Sequence, residues 1–312
     1  LSSTICKVDL ISDLVGEFPE LQGVMGGYFA EAQGFDKDIS LAIREHYLPT
    51  GLDSKTPKKP FSIALALSDK LDTLVGFFGI NQKPTSSKDP YALRRLALGL
   101  IRLLIENNKE FKIRDLINYT LQLYQEQGFE FNNKSVQKDL VEFLTDRLKY
   151  YMKEKDVRID IIDASLKSFG INQITKIYKK SFAFNKLINK EIGKNIISSY
   201  KRASNILENE LKNKELELSI NTDPALFKND YEKKLYKKIH ELRKYFTSIN
   251  KDEDYELTLE NLAESKQVIF DFFDNVKVNE EDKTIQKNRL ELVQMLCKTF
   301  DNYINFSIIE SI

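Results

Sequence analysis

The sequence predicts an all-α fold, and three features carry that prediction. Apolar residues recur at spacings of three and four along almost the whole chain, the period of a helix that buries one face. Glycine and proline are scarce, 12 and 7 in 312 residues, and six of the prolines precede residue 91, so the rest of the chain lacks the punctuation that stops helices. No segment alternates apolar and polar residues as a strand would, and no repeat of solenoid length is visible.

The opening element is the least regular. Residues 13–31, DLVGEFPELQGVMGGYFAE, place Leu14, Phe18, Leu21, Val24, Met25, Tyr28 and Phe29 at helical spacing but interrupt them with Gly16, Pro19, Gly23, Gly26 and Gly27. An interior glycine costs a helix about 1 kcal/mol against alanine, and a proline about 3. The stretch is therefore expected to turn the chain and to let helices approach closely. Asp36 to Glu45 suits a short helix with Ile39, Ala42 and Ile43 on one face. Residues 49–60 and 79–90 are loops by composition, and Phe61 to Phe78 between them reads as a buried helix. Asp89 and Pro90 supply an N-cap and a first-turn proline for a helix from Tyr91 to Glu106. Its apolar face holds Leu93, Leu96, Ala97, Leu100, Ile101, Leu104 and Ile105; another face gathers Arg95 and Arg102, with Arg94 at its edge.

Two more amphipathic helices fall over residues 112–125 and 134–153, and DASLKSFG opens a helical connector. From Phe184 onward the stripes are strongest. Ile188, Ile192, Ile196, Tyr200, Ala203 and Leu207 form one; Phe227, Tyr231, Leu235, Leu242 and Phe246 a second. Leu259, Leu262, Ile269, Phe272 and Phe273 form a third, and Ile285, Leu292, Leu296 and Phe300 a fourth. Helices of this kind make a bundle.

Bulk composition narrows the function classes. With 47 charges of each sign, net charge gives no reason for a nucleic-acid or membrane partner, and either must be argued from local charge. No apolar run reaches the length of a membrane span and no signal peptide is visible. Cys6 and Cys297 are expected to be free thiols in a reducing cytoplasm. The first residue is leucine, and the chain is expected to be part of a longer protein.

Local charge is segregated. Lys167 to Arg202 carries nine positive side chains against Glu191 alone, and Lys251 to Asp282 carries eleven acidic residues against three lysines. The basic segment reads either as a solvated helix face or as a footprint for phosphates, with Tyr178 and Tyr200 as rings on which bases stack. Catalytic chemistry is sparse: His46 and His240 are the only histidines, and no phosphate-binding loop, nucleophile elbow, zincin or paired-cysteine motif is present. His240 reads as a surface or partly packed residue. On motifs alone this is an α-helical binding protein.

Five blocks carry a family resemblance: KVDLISDLVGEFPELQGVMGGYFA, AIREHYLP, ALALSDKLDTLVGFFGINQKPTSSKDPYALRRLALGLIRLL, YKRASNIL and FFDNVKVNEEDKTIQKNRLELVQ. Together, over almost the whole chain, they resemble the β subunit of the bacterial heterotetrameric glycyl-tRNA synthetase. The resemblance implies that subunit's C-terminal portion: an HD-like helical domain over residues 1–110, a helical connector over 111–165, and a DALR-type anticodon-binding bundle over 166–312. It implies a chain that positions glycine tRNA, by its anticodon and acceptor arm, for ATP-dependent aminoacylation on an α subunit, in a tetramer of two α and two β chains. ATP and Mg then belong to the α subunit. No cofactor, metal, catalytic residue or membrane contact is expected in this chain, and its compartment is the cytoplasm.

The same resemblance names site residues. HD-type phosphohydrolases bind metal through a His-Asp doublet, flanking histidines and a late aspartate. Gly16 and Glu17 stand where the doublet would be, His46 resembles a flanking histidine, and Asp69 resembles the late aspartate. Glu17, His46 and Asp69 are expected to meet in a degenerate pocket, a thin ligand set for a metal hydrolase. A metal-dependent HD-type phosphohydrolase with a helical appendage is the rival reading, and a scaffold without tRNA affinity a third. SSYKRASNILEN resembles the DALR signature helix, which makes Tyr200, Lys201, Arg202 and Asn205 candidates for tRNA contact. Arg202 suits a phosphate, and Asn205 suits either a base edge or a buried structural role. Tyr178, Lys179 and Lys180 join them from the basic run. Lys83, Lys88, Arg94 and Arg95 surround a helix N-terminus that is either a phosphate site or a capped end with solvated charges.

Overall fold

The structure, a computed structural model, describes residues 1–212, 218–219, 221–248 and 254–310. All of its regular elements are helical, and no strand occurs among the described residues. The chain divides into two bodies, Leu1–Lys155 with Ile171–Lys176, and Asp156–Gly170 with Ile177–Ile312. The first holds α1 (Ser2–Ile5), α2 (Asp13–Glu17), α3 (Val24–Ala32), α4 (Lys37–Glu45), α5 (Pro60–Gly79), α6 (Leu93–Glu106), α7 (Ile113–Glu126) and α8 (Asn133–Lys153). The second holds α9 (Ile159–Phe169), most of α10 (Ile174–Leu187), α11 (Glu191–Leu211), α12 (Asp230–Ser248), α13 (Tyr255–Ala263), α14 (Lys266–Asn275) and α15 (Lys283–Asp301). No described helix is long and apolar enough to cross a membrane.

In the first body each helix from α3 to α6 packs on the next, and α7 and α8 close over α5 and α6. Residues 111–155, expected as part of a connector, thus belong to this body. The core is the buried side of α5 (Ile63, Ala66, Leu74, Val75, Phe78) against α6, which is buried on almost every side from Ala97 to Leu104. Arg102 is therefore not on an open face with Arg95. It is buried and reaches from α6 into the 49–60 loop, donating to the Ser54 and Gly51 carbonyls and to Glu106 Oε1 at 2.6 Å.

The glycine-rich stretch breaks into α2, a 3₁₀ turn over Pro19–Leu21, and α3. Gly23 caps α3 at φ +78°, a conformation that side chains disfavour. The backbone N–H groups of Gly23 and Gly26 both donate to Oδ2 of buried Asp9, at 2.7 and 3.0 Å. Gly27 lets α3 lie against α4: an added Cβ would stand 2.7 Å from Arg44 Cβ and 2.8 Å from the Ser40 carbonyl oxygen. Gly16 has open space around it.

The far end of α4 is satisfied by a buried lysine. Lys70, on α5, is fully buried and donates to the carbonyls of His46, Tyr47 and Leu48 at 3.3, 3.1 and 2.9 Å. His46 is the C-cap of α4, whose carbonyl the helix end leaves without a partner, Tyr47 and Leu48 follow in the turn beyond it, and a cation there also meets the negative end of the helix dipole. Gly99 makes the room, since a Cβ there would meet Lys70 Cε at 2.7 Å.

The second body is organised on α15, buried on nearly every side and in contact with α11 and α12; α13 and α14 pack on α11, and α14 also on α12. Two expected stripes are each interrupted. The first breaks over residues 188–190 between α10 and α11, and the third breaks at Glu264 and Ser265 between α13 and α14. One buried ion pair ties the bundle: Glu232, inaccessible to solvent, accepts from Arg289 Nε at 2.8 Å and from the Lys228 and Asn229 backbone N–H groups at 2.7 and 3.0 Å. Burial of that pair tolerates no missing partner, because a lone charge would remain in the core.

Two outcomes are expected. Gly27→Ala should lower stability by about 1–3 kcal/mol through overpacking, whereas Gly16→Ala, at an open helical site, should raise it by about 0.4–1 kcal/mol; urea midpoints compare the two. Burial holds Lys70 down to about 8 from 10.5. Between those pH values the unfolded chain holds a proton that the folded chain has released, so stability gains from this group as pH rises from 8 to 10.5, and its charged form costs stability below 8. Denaturation midpoints across that window should show the gain relative to Lys70→Met.

Candidate nucleic-acid interface

The pocket expected from Glu17, His46 and Asp69 is not assembled. Glu17 is exposed on α2. His46 is fully buried, its Nδ1 donating to the Ile43 carbonyl at 2.6 Å, and Nε2 has no partner among the described residues. Burial holds the His46 imidazole below its ordinary pKa. Asp69 is taken by Lys7, at 2.6 Å. The charges beside His46 are thus those of Asp69 and of two ammonium groups, Lys7 and Lys70. The buried carboxylate of this corner is Asp9, and it caps α3 rather than facing a ligand set. Among the described residues no group of three His, Cys, Asp or Glu side chains is placed to hold a metal ion. The phosphohydrolase reading loses its ligands on this geometry.

The cysteines are free and buried. Burial raises both thiols, that of Cys297 to about 12, so neither is a ready thiolate.

At the N-terminus of α6 the helix begins at Leu93, with Ala92 in the left-handed conformation, two residues later than the sequence suggested. Asp89 accepts from the backbone N–H groups of Leu93 and Arg94 at 2.8 and 2.9 Å. A carboxylate thus occupies the position a phosphate would take, the capped-end alternative of the two readings of this loop. Arg94 donates to the Thr85 carbonyl and Lys83 pairs with Asp139 at 2.5 Å. Lys88 and Arg95 remain exposed.

In the second body the basic segment meets the acidic one. Arg202, on α11, pairs with Asp274 at 2.5 Å and lays its guanidinium 4.7 Å from the Phe270 ring and 5.5 Å from the Phe273 ring of α14. It thereby links α11 to α14. Lys186 pairs with Glu256 at 3.3 Å, and Lys266 donates to Asn195 at 2.7 Å. The acidic run begins at residues 251–253, which lie outside the described residues. Charge segregation along the sequence is in this way partly offset by packing.

Two candidates prove to be core. Tyr200 is buried, its ring 5.7 Å from Phe306 and 6.2 Å from Phe300, with its hydroxyl donating to Asp301 at 3.4 Å. Burial, with the Asp301 carboxylate beside it, pushes the Tyr200 phenol up. Lys180 is also buried, donating to the Asn302 and Tyr303 carbonyls at 3.2 and 3.4 Å beyond the end of α15. Its ammonium lies 4.7 Å from the Phe169 ring and 5.0 Å from the Tyr303 ring. Neither is open to a nucleic acid.

What remains at the surface of α10 and α11 is a smaller set. Tyr178 and Lys179 are half-buried along α10, and Lys201 is half-buried on α11. Lys190 and Lys194, not singled out by motif, are exposed at the start of α11. Asn205 is exposed and has no hydrogen-bond partner among the described residues, which removes its structural role.

This bundle is of the DALR class: the family model of the DALR anticodon binding domain matches residues 196–310. The family model of the glycyl-tRNA synthetase beta subunit matches residues 2–167, and the chain belongs to that family. It is similar to the glycine–tRNA ligase beta subunit of Rickettsia africae (strain ESF-5), 39% identical over 98% of this chain and 44% of the relative. The corresponding protein of Rickettsia typhi (strain ATCC VR-144 / Wilmington) is 37% identical over 98% of this chain and 44% of its own length. That of Cereibacter sphaeroides (strain ATCC 17023) is 35% identical over 96% of this chain and 43% of its own length. The chain thus spans less than half the length of the curated relatives it matches.

Tyr200→Ala should cost about 3–5 kcal/mol, as other aromatic deletions in cores do. Asn205→Ala should stay within about 0.5 kcal/mol of the parent. Urea denaturation of the two variants separates the core residue from the surface one.

Proposed function

We propose that this chain is the tRNA-holding part of a glycyl-tRNA synthetase β subunit. The second body grips glycine tRNA at its anticodon arm, and the first faces the acceptor arm and a catalytic α subunit, in an assembly of two α and two β chains in the cytoplasm. Glycine activation with ATP and Mg, and transfer to the tRNA, take place on the α subunit. This chain contributes orientation: holding a long substrate at one end fixes where its other end reacts, and that placement lowers the barrier without any acid or base from this chain.

The observation that supports the reading best is the coincidence of the DALR match, residues 196–310, with a bundle whose surface keeps Lys190, Lys194 and Asn205 exposed beside it. The buried and paired cations, Lys180 and Arg202, contribute to the fold instead.

The test is affinity of the chain for glycine tRNA across a salt series, with an unrelated tRNA as control. Glycine tRNA should bind more tightly, and Lys190→Ala with Lys194→Ala should reduce the salt slope by about 1–2 without lowering stability. Absence of binding at low salt would overturn the tRNA reading and leave a scaffold.

A further inference from the structure

Between α10 and the start of α13 lies an open cleft of about 620 Å³. One wall is aromatic. Tyr178 and Phe182, a turn apart on α10, set their rings 5.6 Å apart and 16° from parallel. One turn further, Lys186 holds its ammonium 5.1 Å from the Phe182 ring. The opposite wall carries Glu256 and Glu260, a turn apart on α13 and both exposed. The Lys186–Glu256 pair is about half exposed on each side, 53% and 52%, so its two ends exchange easily with a competing polar group.

The chemistry of this cleft selects its ligand. Carboxylates outnumber ammonium groups on the lining, so the cleft disfavours a phosphate. It combines a flat apolar wall with a rim where strong acceptors and a strong donor stand side by side. A planar heterocycle with an amino group next to a ring acceptor matches both parts. Single-stranded RNA presents such groups when a base is splayed out, with its face stacked on an aromatic ring and its edge hydrogen-bonded. Among the bases, cytosine and adenine offer an amino donor, which Glu and Asp can accept from, beside ring acceptors that suit an ammonium; uracil has no amino group.

Resting on the tRNA reading above, the genetic code supplies the rest. Glycine codons begin with two guanines, so a tRNA that reads them carries two adjacent anticodon cytosines. We propose that this cleft seats one of those cytosines, with Glu256 and Glu260 accepting from its amino group, Lys186 donating to its ring acceptors, and the Tyr178–Phe182 wall against its face. Discrimination then comes from the acidic segment, while the basic residues nearby hold the backbone.

The experiment compares binding of the 312-residue chain to glycine tRNA and to transcripts with each anticodon cytosine changed to uracil. The parent chain should lose about tenfold at one of the two positions, the discrimination typical of a well-made base contact. A Glu256→Ala, Glu260→Ala double variant should bind the two RNAs alike, with an unchanged melting temperature because both residues are exposed. If the double variant discriminates as well as the parent, the cleft is not the reader, while the tRNA reading stands. If the parent itself binds glycine tRNA no better than the uracil transcripts and an unrelated tRNA, the anticodon reading fails and this proposal with it. If the double variant keeps its RNA discrimination but loses association with the α subunit, the cleft is a protein-docking seam and the proposal is overturned.

Discussion

A chain that ends a helix and turns inside a protein leaves carbonyl groups with no partner, and each body of this chain meets that demand with a buried lysine. Lys70 in the first and Lys180 in the second insert an ammonium group among such carbonyls. An ammonium has three donors and a flexible stem, so one side chain can meet two or three carbonyls at once. Much of the local architecture follows. Gly99 is small because Lys70 passes it, and the rings of Phe169 and Tyr303 line the path of Lys180.

The helices were legible in the sequence because a period of 3.6 repeats locally. Phe61 to Phe78 and Ile285 to Phe300 fall within α5 and α15. The breaks were less legible. A stripe can continue in register across residues 188–190 while the backbone turns, and periodicity reports only the register. The site was legible in its family and less so in its residues. Tyr200, Lys180 and Arg202 have the composition of an RNA-binding helix, yet their partners Asp301, Asn302 and Asp274 lie about 70 to 120 positions away in the chain. No local pattern reports a partner at that distance. Asp9 was missed for the same reason: a carboxylate that caps a helix fourteen residues later resembles any surface aspartate.

Charge carries a second lesson. A basic segment and an acidic segment that would each look like an interface are joined, in the folded bundle, by the Lys186–Glu256 and Arg202–Asp274 pairs. What such packing leaves for an outside ligand is a seam of mixed sign. A mixed seam attracts weakly and discriminates well, because every polar group on it must be matched when water leaves. Exposed cations such as Lys190 and Lys194 at the start of α11, and Lys233, Lys234 and Lys244 on α12, remain to supply attraction.

The position of α15 has a consequence for how the chain acquires its shape. In the first body the helices from α3 to α6 pack on their immediate successors, so structure there can accumulate as the polypeptide leaves the ribosome. In the second body α11 and α12 pack on a helix that follows them by scores of residues. α13 and α14 cover part of their apolar faces first, and the part that packs on α15 must wait until α15 has been synthesised. The two bodies therefore differ in when they are vulnerable, and the interval before α15 emerges is when the nascent second body most needs protection from aggregation.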